Sequence, residues 1–232
     1  MQNNYTYDVA MFRDTFETRF TYLNGFMRNV SRFKTRPAMT DPLSGRRWTY
    51  EELNIEANRL AHALRASGVG KNDVVMFTLL NSPEFVFCYL AAHKVGAIAC
   101  PVNYRQGAGE IALVIDDSCP KAFLYDAEFG ELSAGALNMC QHKPGAVVMV
   151  DYKGGAQVPK GHILYKDYVS GQSEDDPPVD FHPHIYDETT RLYTSGTTSR
   201  PKGVPVNNVN EVLSAHDVMM HFPLGPTDRT MN

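Results

Sequence analysis

Leu192–Val204 reads LYTSGTTSRPKGV, and the rest of the chain is organised around this stretch. Thr194, Ser195, Thr197 and Thr198 place four hydroxyls within five residues, Gly196 lets the backbone approach a bound group closely, and Lys202 adds a cation a few residues on. Hydroxyls and successive backbone N–H groups form a concave set of donors for anion oxygens. One ammonium about 4 Å from one phosphate charge contributes roughly 4 kcal/mol at an effective dielectric near 20. The stretch is therefore read as a loop that holds phosphate, with enough donors for a triphosphate. A Ser/Thr/Gly-rich surface turn is the bland alternative, but turn composition alone does not order these residues in this way.

The nearest rival is the Walker A loop, Gly-x4-Gly-Lys-[Ser/Thr], whose first-glycine-to-lysine interval matches Gly196 to Lys202. The remainder does not match. Pro201 stands at the second glycine and has no N–H to give, and Gly203 stands where a magnesium-binding hydroxyl is needed. A P-loop is rejected on those two residues.

The stretch resembles instead the phosphate loop of the adenylate-forming superfamily, which comprises acyl-CoA synthetases, luciferases and the adenylation domains of peptide synthetases. The usual form there is [Tyr/Phe]-Thr-Ser-Gly-Thr-Thr-Gly-x-Pro-Lys-Gly-Val. Tyr193 to Val204 agree at every fixed position except Ser199, where that family has glycine. Other stretches are similar to the acyl-CoA synthetase N-terminal region in the same order: WTYEEL from Trp48, NRLAHAL from Asn58, GVGKNDVV from Gly68, NSPEFVFCYLAAHKVGAIACPVN from Asn81 and DDSCPKAFLYD from Asp116. The resemblance covers nearly everything after about residue 35, and only the phosphate loop carries chemistry directly.

Composition sets outer bounds on function. The chain has 232 residues, enough for a core that buries about 70–75% of the unfolded surface. Twenty-two Lys and Arg against 26 Asp and Glu give a formal charge of −4, which argues against a nucleic-acid surface made by bulk charge. The first twenty residues lack a basic segment followed by an apolar core, and nowhere do eighteen apolar residues run together, so a cytoplasmic chain without a transmembrane segment is expected. Cys88, Cys100, Cys119 and Cys140 have the spacing of neither a zinc site nor a redox pair and are read as free, mostly buried thiols. His182 and His184 flank Pro183 in a polar loop, and no metal site is assigned.

Along the chain, Phe12, Phe16 and Phe20 fall at four-residue spacing and Tyr22, Phe26, Val30 and Phe33 continue the stripe, which predicts N-terminal helices lying against a core. Residues 38–40 and 46–49 flank the turn signal DPLSG as a short hairpin. Thr49 and Glu52 form a capping box for a helix that Gly68 ends. Strands are predicted at 74–80, 97–102, 122–125, 146–150 and 189–193. Helices are predicted at 83–95, 110–117 and 128–139, and another follows a cap-like pair Asn208 and Glu211. Residues 151–187 are rich in Gly, Pro and acid and are read as a long surface connection. Alternating strand and helix is the grammar of an α/β fold with a mostly parallel sheet, here five or six strands, wrapped by helices on both faces.

What the resemblance implies is an AMP-forming acid–thiol ligase: a carboxylic acid, most similar here to the fatty-acid branch, is activated with ATP and magnesium to an acyl-adenylate and passed to coenzyme A. Thr194, Ser195, Gly196, Thr197, Thr198, Lys202 and Gly203 would then grip the β- and γ-phosphates. Ser199 in place of glycine and Asn208 in place of a frequent histidine are departures. In that family the nucleobase and acyl pockets, the acidic magnesium ligand and the catalytic lysine of the C-terminal lid come later in sequence, and the resemblance therefore puts the catalytic lysine beyond Asn232. Residues 1–232 are thus expected to be the N-terminal portion of an AMP-binding domain, with no catalytic residue of their own, unable to complete adenylation alone and prone to self-association through an uncovered face. A non-catalytic ATP-binding or interaction module derived from the same fold is the alternative. Continuation of the coding frame into a TGD-like motif and a late lysine would decide against it.

Overall fold

The computed structural model describes residues 8–194, 200–222, 224–225 and 228–230. Asn232, the position beyond which the catalytic lysine is expected, lies outside the described residues. Two helices, α1 (Val9–Arg19) and α2 (Tyr22–Arg32), start on the side chains of Asp8 and Thr21, which accept from backbone N–H groups of the first turn. The expected core stripe on α1 is not a core: Phe12 and Phe16 are 49% and 41% exposed, and α1 buries no residue. Their rings stack on one another instead, Phe12 to Phe16 at 5.7 Å and Phe16 to Phe20 at 5.1 Å. Four-residue spacing makes such a ladder whether or not anything lies against it.

The hairpin β1 (Pro37–Thr40) and β2 (Arg47–Thr49) stands as a separate antiparallel pair. Helix α3 (Tyr50–Ala66) begins with the anticipated capping box, in which Thr49 Oγ1 accepts from Glu52 N and the Glu52 carboxylate accepts from Thr49 N at 2.8 Å. Strand β3 (Val74–Thr78) is buried throughout. Helix α4 (Pro83–Lys94) carries Pro83 in its first turn, where a missing N–H costs nothing. Then come β4 (Ile98–Pro101), α5 (Ala108–Ser118), β5 (Ala122–Asp126), a 3-10 turn at Ala127–Phe129, α6 (Gly130–Met139) and β6 (Ala146–Val150).

Residues 151–187 are more than a connection. They hold β7 (Ile163–Leu164) and α7 (Tyr165–Tyr168), and their later part straps down over helices α3 and α4. Lys94, with its side chain only 3% exposed, meets Asp176 at 2.8 Å, while Asn58 donates to the Glu174 carbonyl at 2.6 Å. The Phe181 ring sits on Gly96, where a β-carbon would lie 2.7 Å from the ring.

Strand β8 (Glu188–Thr194) then enters beside β4, and β9 (Lys202–Asn207) turns back along it ahead of α8 (Asn208–His221). The main sheet has the order β7-β6-β5-β3-β4-β8-β9, seven strands instead of five or six, parallel at every pairing except β8 with β9. The two extra strands come from a stretch read as a connection and a stretch read as loop. Strand residues alternate between two cores: Val75, Phe77, Leu124 and Val148 face α3 and α4, whereas Met76, Cys100, Phe123 and Met149 face α5 and α6. All four cysteines are free, and three of them, Cys88, Cys100 and Cys140, are buried.

Candidate phosphate-binding site

Sequence reasoning placed a loop between a strand and a helix; the structure places it between two antiparallel strands. Of the seven expected phosphate ligands, Thr194, Lys202 and Gly203 are described, and Ser195, Gly196, Thr197 and Thr198 lie outside the described residues, as does Ser199. The register closes the site's base. Thr194 pairs with Lys202, Tyr193 with Gly203 and Leu192 with Val204. Directly opposed residues share a face of an antiparallel pair, so Thr194 and Lys202 lie side by side where β8 ends and β9 begins. Both are exposed, and among the described residues no carboxylate pairs with Lys202. An unneutralised ammonium beside a hydroxyl at the carboxyl end of a parallel strand suits an anion, and this is where open α/β sheets bind ligands.

The neighbouring pair has a different task. Tyr193 lies on the α5 side of the sheet, packed against the Met76–Phe123 core, and its hydroxyl donates to Asp117 Oδ2 at 2.5 Å. Burial and this carboxylate together push the phenol's pKa well up, so it stays a donor. Opposite it, Gly203 leaves the space the ring occupies: a β-carbon there would lie 3.1 Å from the ring, 3.2 Å from its hydroxyl and 3.3 Å from Arg191 Cδ. Arg191 is itself held by Glu188, at 2.7 and 2.8 Å.

Behind the other face, Glu211 turns its side chain inward, 8% exposed, rather than capping α8. The cap is one residue earlier, Asn207 with Asn210, each side chain accepting from the other's backbone N–H. Glu211 Oε1 accepts from Tyr89 and Thr190 hydroxyls, both at 2.6 Å, with His93 Nε2 3.8 Å away. Burial lowers the His93 pKa, with Glu211 opposing. Asn208, the residue that departs from the usual histidine, is 4% exposed and donates to the His184 carbonyl at 3.1 Å. Asp117 and Glu211 were not found from the sequence. The available signal for Asp117 was an acid pair, Asp116–Asp117, in the last turn of a helix, where a carboxylate is disfavoured.

Fold and hairpin together define an α/β protein with a mostly parallel sheet, in which the Ser/Thr/Gly-rich motif follows an inner strand. The AMP-binding enzyme family model matches residues 26–232, and the chain belongs to that family. It is similar to the 3-hydroxybenzoate–CoA/4-hydroxybenzoate–CoA ligase of Thauera aromatica, 34% identical over 181 residues that cover 78% of this chain and 34% of that one. It is also 33% identical over 167 residues to the long-chain-fatty-acid–CoA ligase FadD13 of Mycobacterium tuberculosis, covering 72% and 31% respectively. Among solved structures, the anthranilate CoA ligase AuaEII in complex with anthranoyl-AMP matches with a TM-score of 0.73 at 25% identity, covering 84% of this chain and 36% of that one. The chain thus spans about a third of the length of the relatives it matches. Among the described residues no helix is long and apolar enough to cross a membrane, and no three His, Cys, Asp or Glu side chains gather as a metal site.

Proposed function

We propose that this chain supplies the phosphate-holding part of an acid–CoA ligase, which activates a carboxylic acid with ATP to an acyl-adenylate and transfers it to coenzyme A. The observation that carries the reading is Thr194 and Lys202 side by side at the mouth of the β8–β9 hairpin, with Lys202 unpaired among the described residues. The chemical problem is a carboxylate attacking an α-phosphate already crowded by anionic oxygens. Thr194 and Lys202, with Ser195, Gly196, Thr197, Thr198 and Gly203 of the same motif, bind and orient the β- and γ-phosphates. Charge on the leaving pyrophosphate is thereby met in advance. Magnesium accompanies the triphosphate in this reading.

Lys202→Ala removes one charge-assisted contact, about 1.5–3 kcal/mol, so calorimetric titration with inorganic triphosphate gives roughly 10- to 100-fold weaker binding than the unmodified chain. Equal affinities would take Lys202 out of the site. The chain by itself is expected to give no acid-dependent ATP–pyrophosphate exchange. For the acid, the early stretches favour a fatty acid, while the similarity to a hydroxybenzoate ligase favours an aromatic one. A screen of the intact enzyme with palmitate, 4-hydroxybenzoate and short-chain acids separates the two.

A further inference from the structure

We propose that Asp117 is a positioning residue for the phosphate loop, acting through Tyr193; this rests on the loop reading above and extends it to a residue outside the motif. Helix α5 carries Asp116 and Asp117 in its last turn, with no basic residue there, so two carboxylates sit at the negative end of the helix dipole. A local preference broken twice in succession is compensated by contacts elsewhere. Each acid has one, and the two differ. Asp116 Oδ1 accepts from Gln141 N at 2.7 Å and His142 N at 2.8 Å, which fixes the chain after α6. Asp117 turns to the sheet and takes the Tyr193 hydroxyl at 2.5 Å.

Tyr193 is the last residue before Thr194 and faces Gly203, which follows Lys202. Ring and hydroxyl are thus fixed at three points: below by the α5-side core, across the hairpin by the bare Gly203 backbone, and at the tip by Asp117. Rotation of the ring would carry with it the strand ends that hold Thr194 and Lys202 in register. The carboxylate therefore sets the separation of the two loop ends without approaching a phosphate itself.

The test compares Asp117→Asn, Tyr193→Phe, the double variant, Asp116→Asn and Lys202→Ala in the full chain, by hydrogen exchange of peptides spanning 192–204 without ligand and by inorganic triphosphate titration. Both Asp117→Asn and Tyr193→Phe keep the side-chain shape. Each is expected to speed exchange in that stretch and weaken triphosphate binding roughly three- to tenfold, the size of one hydrogen bond, and the double variant to lose no more than either single one. Asp116→Asn lowers the melting temperature yet leaves triphosphate affinity within about twofold, separating loop positioning from general stability of α5. Unchanged exchange and unchanged affinity in Asp117→Asn and Tyr193→Phe, or additive losses in the double variant, overturn the proposal. If Lys202→Ala binds triphosphate as the unmodified chain does, the loop reading falls, while the ligand-free exchange rates still judge the Asp117 tether.

Discussion

A β-carbon on Gly203 would press on the Tyr193 ring at 3.1 Å, tighter than an ordinary contact, and on Arg191 at 3.3 Å. Gly203→Ala is therefore expected to cost about 1–3 kcal/mol by urea unfolding, the usual range for overpacking. A transition coincident with that of the unmodified chain would mean the ring moves away freely. Glu211 makes the opposite case. Glu211→Leu removes the acceptor that the Tyr89 and Thr190 hydroxyls share behind β8; Thr190 still donates to Tyr89 at 2.9 Å, so one hydroxyl donor is left unmet, a cost of about 1–3 kcal/mol in the same urea unfolding. At this scale the sequence exposes what chemistry repeats: Thr194 and Lys202 stand out as candidates because hydroxyls and an ammonium cluster in a short run. Asp117 and Glu211 do not, since their partners stand 76 and 122 residues away in the chain and only the fold brings them together.

Among the elements, the β1–β2 hairpin is tied to the end of β6 through Asp41. Its carboxylate accepts from Ser44 Oγ and from the Tyr152 hydroxyl, then from the backbone N–H groups of Leu43 and Ser44, and these hold its pKa at about 2 although partial burial opposes them. The folded value lies below the ordinary value of about 3.9, so the stabilisation is complete above about pH 4 and is lost as the pH falls toward 2. Asp41→Asn should thus be less stable than the unmodified chain at pH 7 and converge with it near pH 2 in paired denaturant titrations. A gap that is constant with pH would remove the carboxylate's charge from the account. In the strap over α3 and α4, Asp176→Asn leaves the buried Lys94 ammonium without its counter-charge. Asp176 is half exposed, so the expected loss is about 1–3 kcal/mol, below that for a fully buried pair. Most element boundaries could be read in advance because they are decided locally: the Thr49–Glu52 box, Pro83 in the first turn of α4, the apolar run at β3. Strand β9 could not, because Gly203 and Pro205 are poor strand residues, and Pro205 is accommodated on a strand whose only described neighbour is β8. The cap of α8 was misplaced by one residue because Asn207, Asn208 and Asn210 are chemically equivalent in sequence and only burial distinguishes Asn208.

For the molecule as a whole, the doubly wrapped parallel sheet was legible from the alternation of periods, and the seven-strand order was not, since strand neighbours are chosen by packing. The outer surface of α8 and its exit leave Leu213, Val218, Met219, Met220 and Phe222 exposed. Apolar side chains in such number on one element favour association. Light scattering is expected to show a dimer or larger species as concentration rises; a monomer throughout would mean that water tolerates this surface. The pairing of Ala99 in β4 with Thr190 in β8 joins residues some ninety positions apart, so closing that loop costs about 1 kcal/mol more than pairing nearer strands and comes later. Strands β3 to β6 can assemble among near neighbours first, and the hairpin that holds Thr194 and Lys202 docks afterwards. During refolding, core fluorescence from Trp48 should therefore recover before affinity for triphosphate does, so that the hairpin carrying the proposed phosphate site is the last to be completed.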